Sequence, residues 1–331
     1  MHSHNRASVV HQLRYALGHP GRVPRHLRRL TRDLWLRLGN RDHVAYYRAV
    51  MRSDTARSPR GAVGSRSYRR WVAMGKMQFD YLVRHGLRPE HRMLEIGCGN
   101  LRAGRLFIGY LDPGNYYGID ISPDILIAAQ DTLVSYDLRD RFPHLLPVGD
   151  LRFTALPDQA FDVVHAHSVF SHSPLHVIEE CFRGVGRIMR PGGWFDFTFD
   201  RTEGREHHVL REDFYYRAET LVDLAAACGL QATLMDDWER LPHRQSKIRI
   251  TLPGREAAEE HAARDAGRPA EAVPDHGRPE IALDRDPSGS GRGHALPGDE
   301  RDRVRPGAGH QGHPGREAGR ATPDLAKESR M

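Results

Sequence analysis

Cysteine is scarce in this chain of 331 residues: Cys98, Cys181 and Cys228 are the only three, and their spacing fits neither a disulfide framework nor a paired metal site. A disulfide-stapled scaffold is thereby excluded, and a reducing compartment, by default the cytoplasm, is the expected location. No window approaches the ~20 consecutive apolar residues of a membrane span. The opening MHSHNRASVV lacks a hydrophobic core and cleavage pattern, so no secretory signal is expected. Acidic residues are few at the start. Residues 1–60 hold thirteen Arg, no Lys and only Asp33, Asp42 and Asp54, a balance of +10 against +6 for the whole chain, so the other 271 residues sum to −4. Basicity therefore belongs to an N-terminal arm. Residues 253–331 lack Phe, Trp and Tyr altogether, and Gly plus Pro supply 21 of these 79 residues. Such a tail cannot bury enough apolar surface to offset its ordering entropy, and disorder is expected.

What is present is organised around Met93-Leu94-Glu95-Ile96-Gly97-Cys98-Gly99-Asn100. An apolar run closes on an acid, two glycines follow with one residue between them, and a helical pattern begins. Gly97 and Gly99 permit a sharp turn and a close approach by a ligand. The amides at the helix start add unpaired donors and partial positive charge. Dinucleotides and S-adenosylmethionine (SAM) are the two cofactor types that use such a turn. The dinucleotide fingerprint requires a third glycine where this chain has Arg102, and it has no place for Glu95.

The flanking pattern alternates helices and strands. A helix carrying Trp71, Met74, Met77, Tyr81 and Leu82 stops at Gly86. A second strand over Tyr116–Ile121 places Asp120 at its end, 23 positions after Gly97, where a carboxylate can accept both ribose hydroxyls of an adenosine moiety. Ser122-Pro123-Asp124 opens the next helix. Leu145–Asp150 reads as a third strand, and Phe161–His172 as a fourth strand with the loop beyond it. Helical spacing of Val177, Ile178, Cys181, Phe182, Val185, Ile188 and Met189 marks a core helix in which Cys181 is an inert packed thiol. Arg190-Pro191-Gly192-Gly193 is expected to stop it before a fifth strand, Trp194–Phe199. Arg201–Arg217 is a polar-aromatic connection. A last helix on Leu221, Leu224, Ala225 and Cys228 precedes Gln231–Met235 and Lys247–Leu252, two strands that close the sheet as an antiparallel hairpin.

These motifs resemble the class I SAM-dependent methyltransferase family, whose first motif reads acidic-x-Gly-x-Gly. The family often has a further glycine where this chain has Leu101, and it often writes Ser-Val-Phe-Thr-His where this chain has Ser168-Val169-Phe170-Ser171-His172. The resemblance covers residues 68–252. It implies a three-layer α/β domain with a doubly wound sheet of seven mostly parallel strands and a C-terminal antiparallel strand. It also implies SAM as cofactor, held by Glu95, Gly97, Cys98, Gly99, Arg102, Asp120, Ile121, Asp150, Leu151 and Ser168. Asp150 would meet the adenine amino group and Leu151 would lie along the ring. His172 is the candidate general base, with a structural histidine as the competing reading. The connection 201–217 would line the acceptor pocket. Its adjacent His207 and His208 do not make a metal site, and no metal is expected.

The organisation expected is a basic helical arm and linker (1–67), the methyltransferase domain (68–252) and a disordered tail (253–331). Within the arm, Leu27, Leu30, Leu34 and Leu38 recur at helical spacing, and Ser53–Ser67 reads as linker. The arm is an accessory cap or a peripheral contact with an anionic membrane; a nucleic-acid arm is the least favoured reading. A small-molecule acceptor with a hydroxyl or amine is expected. The alternatives are a macromolecule-directed methyltransferase that uses the arm and a non-catalytic SAM-binding protein. Oligomeric state is not legible.

Overall fold

The computed structural model describes residues 30–36, 39, 42–65, 67–238 and 245–254. The expectation of disorder for the tail lies, from residue 255 on, outside the described residues.

Parallel strands form the centre of the molecule: β1 (Met93–Ile96), β2 (Tyr116–Asp120), β3 (His144–Pro147), β4 (Phe161–Ala166) and β5 (Met189–Arg201), in spatial order β3-β2-β1-β4-β5. Two later strands extend the β5 edge. β9 (Ser246–Thr251) runs antiparallel to β5, and β8 (Gln231–Leu234) runs antiparallel to β9, giving the expected seven strands. A further hairpin, β6 (His207–Val209) with β7 (Asp213–Tyr216), joins the end of β5 through Asp200 and Arg201. The connection 201–217 is thus partly strand, a pairing that its short polar-aromatic segments did not announce.

Alternation along the strands divides the core into two layers. Met93, Val163 and Trp194 lie in one register row and belong to the cluster containing Leu82, Phe107 and Leu133. Leu94, Val164 and Phe195 lie one residue on and belong to the opposite cluster, with Ile178, Phe182 and Leu221. The first layer is covered by α2 (Tyr68–Arg84), α3 (Gly104–Tyr110) and α4 (Pro123–Ser135). The second is covered by α5 (Leu175–Ile188) and α6 (Ala218–Ala227).

Three local expectations are corrected. Arg190-Pro191-Gly192-Gly193 does not separate helix from strand: β5 already begins at Met189, and a register shift opposite Phe161–Val163 absorbs the irregularity. The third strand ends at Pro147, three residues before Asp150. The stretch expected as a linker is largely helical. Before α2 lies α1 (His43–Arg57), with Asp42 capping the Ala45 amide, and then a helical turn, Pro59–Ala62, capped by Ser58. α1 packs against α4 and is not detached from the domain.

A buried charge cluster ties the antiparallel edge to the centre. Asp196 on β5 accepts two hydrogen bonds from Arg249 on β9, at 2.7 and 2.8 Å. The fully buried Lys247 lies 3.9 Å from Asp196 and against the rings of Trp238 and Tyr81, 4.3 and 4.8 Å from their centroids. Asp196 is the carboxylate paired with both the buried Lys247 and the partly buried Arg249, and its removal leaves a buried cation without its nearest counter-charge. Asp196→Asn is therefore expected to cost about 3–5 kcal/mol in urea unfolding; a loss below 1 kcal/mol would show the cluster to be energetically idle.

Candidate functional site

The turn after β1 has the geometry its glycines suggested. Gly97 and Gly99 adopt φ of +69° and +56°. A Cβ at Gly97 would stand 2.5 Å from Val169, and one at Gly99 would stand 2.7 Å from Val63. Both positions therefore require glycine for conformation and for space. Leu101, where the family often has glycine, also lies in the left-handed region at +61° while its side chain is fully buried. The strain is outweighed by apolar burial.

Asp120 faces this turn. It is 6% exposed, and its two carboxylate oxygens accept from the Gly99 amide at 3.0 Å and the Ser122 amide at 2.9 Å. Burial raises its pKa to about 6 against the opposing pull of the Ser122, Gly99 and Ile121 amides. Each oxygen keeps a further lone pair, so a ribose diol can be accepted without breaking the existing bonds.

The other sequence-derived candidates fall into three groups. Some support the turn from below. Glu95 accepts from the Tyr116 hydroxyl at 2.5 Å, and burial lifts its pKa to about 7. The buried Cys98 sulfur packs against Gly118 of β2. Both side chains are enclosed beneath the loop and support it. A second group lies at the strand ends. The Ile121 carbonyl and the half-exposed Asp150 lie beyond β2 and β3. The Leu151 side chain is in the second core layer and its amide donates to Glu180 at 2.9 Å. The third group is engaged by other segments. Arg102 donates to the Val63 carbonyl at 2.6 Å. Ser168, at φ +58°, donates from its amide to Thr198 and from its hydroxyl to Gln245, both at 2.8 Å.

His172 follows in the same loop. Its Nδ1 lies 2.6 Å from the Glu212 carbonyl and 3.5 Å from the Asp213 carboxylate. A carbonyl oxygen only accepts, so Nδ1 carries the hydrogen and the neutral ring keeps its lone pair on Nε2. Burial lowers the His172 pKa, but Asp213 and Glu212 more than offset this and the net shift is upward. Asp213 was missed in the sequence. Its only signal was an acid beside Phe214 in a connection already assigned to the acceptor side. His167 is buried between His165 and Trp238.

α1 supplies further groups with no sequence motif. Tyr47 stacks on His172 with centroids 5.3 Å apart, and His43 Nε2 donates to the His172 carbonyl at 2.9 Å. Burial, followed by the carboxylates of Asp213, Glu212 and Asp120, pushes the Tyr47 hydroxyl well above its ordinary pKa. Tyr47 thus lies within the field of both the turn and the His172 loop. Among the described residues, no three His, Cys, Asp or Glu side chains are grouped to hold a metal ion.

A doubly wound sheet with an antiparallel strand at one edge, and a glycine turn facing an acid at the end of the neighbouring strand, is the architecture of the methyltransferase fold. Residues 94–195 match the family model described as "Methyltransferase domain". An uncharacterized methyltransferase of Schizosaccharomyces pombe is 25% identical over 122 residues, which are 34% of this chain and 41% of that protein. The chain thus spans about two-fifths of the length of this relative. Among solved structures, a SAM-dependent methyltransferase from Clostridium acetobutylicum is 14% identical, with 57% of this chain and 93% of that one covered, at a TM-score of 0.45. The glycopeptide N-methyltransferase MtfA is 17% identical, with coverage of 55% and 90% and a TM-score of 0.43.

Two predictions follow from the turn. Leu101→Ala is expected to lower stability by about 2–5 kcal/mol through the lost core side chain, and Leu101→Gly by about 1 kcal/mol less than that, because glycine relieves the left-handed strain. Urea unfolding of both variants checks the order; Gly falling below Ala would contradict it. Protonating Asp120 removes an acceptor, so affinity for S-adenosylhomocysteine should weaken as pH falls from 7 through about 6. Calorimetry of Asp120→Asn should find binding at least tenfold weaker and flat over the same range.

Proposed function

We propose that this chain is a methyltransferase that binds SAM at the glycine turn and transfers its methyl group to a hydroxyl or amine of a small-molecule acceptor. The carrying observation is the juxtaposition of Asp120 with the turn, together with a histidine whose tautomer is fixed in the adjacent loop. The residues fit the cofactor: backbone without Cβ at Gly97 and Gly99, and a buried carboxylate with free acceptor capacity. Bound SAM would supply a methyl group already activated as a sulfonium.

The chain's own work is alignment and proton handling. Asp120 orients the sugar, while Ile121 and Asp150 frame the nucleoside end. Val169 seats the loop on Gly97, which brings His172 toward the transfer region. For a hydroxyl acceptor, His172 Nε2 takes the proton, and Asp213 behind Nδ1 stabilises the imidazolium that forms. An amine acceptor needs alignment above all, which by itself lowers the barrier by several kcal/mol. The rings of His43, Tyr47 and Phe214 stand beside His172 and suit a planar or apolar acceptor body. The reading includes a reducing compartment, in keeping with three free cysteines.

A second reading concerns where the acceptor is met. In the helical residues 30–36, Leu34 and Trp35 are 62% and 74% exposed, within an arm whose balance is +10. An exposed Trp-Leu pair in a basic segment suits an anionic membrane surface. Cosedimentation with phosphatidylserine vesicles should fall at least fivefold in Trp35→Ala; equal retention would remove this reading.

For the chemistry, kcat/KM toward a hydroxyl acceptor should rise with pH through a pKa above the ordinary 6.5 of histidine. Asp213→Asn should move that limb to lower pH, and His172→Ala should cost at least about 10²-fold. Turnover of His172→Ala within threefold of the parent would exclude the base role. Release of labelled methyl groups from SAM into an acceptor separates enzyme from binder.

A further inference from the structure

We propose that Arg48 is a positioning residue for the nucleoside end of the cofactor site, so that α1, which lies outside the matched segment 94–195, is a working part of that site. The proposal rests on the reading of the glycine turn as a SAM site. Arg48 Nε donates to the Ile121 carbonyl at 2.8 Å, and its Nη2 donates to the Val148 carbonyl at 3.2 Å. Ile121 directly follows Asp120, and Val148 follows Pro147, the last residue of β3. Asp120 and Pro147 are register partners, and the Val148 amide donates back to the Asp120 carbonyl at 3.0 Å. One guanidinium therefore spans the two loops between which an adenosine held by Asp120 must lie.

The side chain chosen suits that task. A planar fork with two donors on two different carbonyls fixes their separation, whereas a lysine ammonium on a flexible stem is a point charge that fixes neither direction. The two carbonyls are neutral and carry no sequence information, so the contact works for any residue types in the loops. This is why no motif announces it.

Neighbouring contacts give the helix a reason to be held there. One residue before Arg48, Tyr47 stacks on His172, and one helical turn before Tyr47, His43 binds the His172 carbonyl. Past the end of α1, Val63 rests on Gly99 and its carbonyl accepts from Arg102. The same segment thus touches the nucleoside loops, the glycine turn and the transfer loop. Displacing Arg48 should loosen the first of these while leaving the core intact, because its contacts are to loop carbonyls and not to either core cluster.

The test uses the full chain and S-adenosylhomocysteine as probe. In Arg48→Ala, calorimetric affinity for S-adenosylhomocysteine and for adenosine should both weaken at least tenfold, with an unchanged thermal midpoint. Arg48→Lys should fail to rescue either. Without ligand, amide exchange at residues 121–124 and 148–151 should accelerate in Arg48→Ala and not in Arg57→Ala, an exposed arginine on the same helix. If Arg48→Ala does not melt cooperatively, Arg48→Gln, which keeps the stem and one donor, is read in its place. Affinity within twofold of the parent in a folded variant, or full rescue by lysine, overturns the proposal. A parent chain that binds neither ligand overturns the cofactor reading itself.

Discussion

A single buried carboxylate holds the site together. Asp120 closes β2, and its two oxygens grip the amide of Gly99 on one side and that of Ser122 on the other. The first bond fixes the glycine turn against the neighbouring strand, and the second fixes the start of α4. Everything else in the site is placed relative to these two bonds. The arrangement is costly. With Asp120 raised to about 6 and Glu95 beneath the turn to about 7, the folded state favours the protonated acids. The stability linked to their protonation is complete below their unfolded pKa values and lost as pH rises through 6 and 7, roughly 3 kcal/mol for each. A fold that keeps Asp120 mostly ionised at such a cost at neutral pH is more readily understood if that carboxylate meets a ligand.

The sheet was legible because it is built from repeated local rules. Strand, glycine turn and helix around Gly97 follow from backbone freedom and apolar spacing, and Asp120 follows from the distance between parallel strands. Those signals lie within short windows. The failures have a common cause as well. Asp213, Tyr47 and Arg48 act through partners roughly 40 to 125 residues away in the chain, the first two at His172 and the third at Ile121 and Val148. Nothing in their immediate neighbours distinguishes them from ordinary helix or strand residues. Arg190-Pro191-Gly192-Gly193 misled for the opposite reason. Its local preference for a turn is strong, yet pairing of Met189 with Phe161 begins the strand before it.

The N-terminal segment changes meaning once the fold is known. Read as composition, its arginines suggest a solvated or surface-seeking arm. In the structure several have assigned work: Arg32 pairs with Asp54 and Glu212 at 2.7 Å each, and Arg48 spans two loops. Glu212 lies beside Asp213, so the Arg32 pair links the arm to the strand that supports His172. The N-terminal helices and the His172 side are therefore joined by charge-assisted bonds at partly buried positions, where they are worth more than at the surface. Leu34 and Trp35, on the same helical stretch as Arg32, remain exposed.

The most direct test of the central claim is a crystal structure of the full chain with S-adenosylhomocysteine. The account predicts both ribose hydroxyls within hydrogen-bond distance of the Asp120 carboxylate and the nucleoside between Ile121 and Asp150. A ligand bound elsewhere, or a sugar that leaves Asp120 bonded only to Gly99 and Ser122, would contradict it.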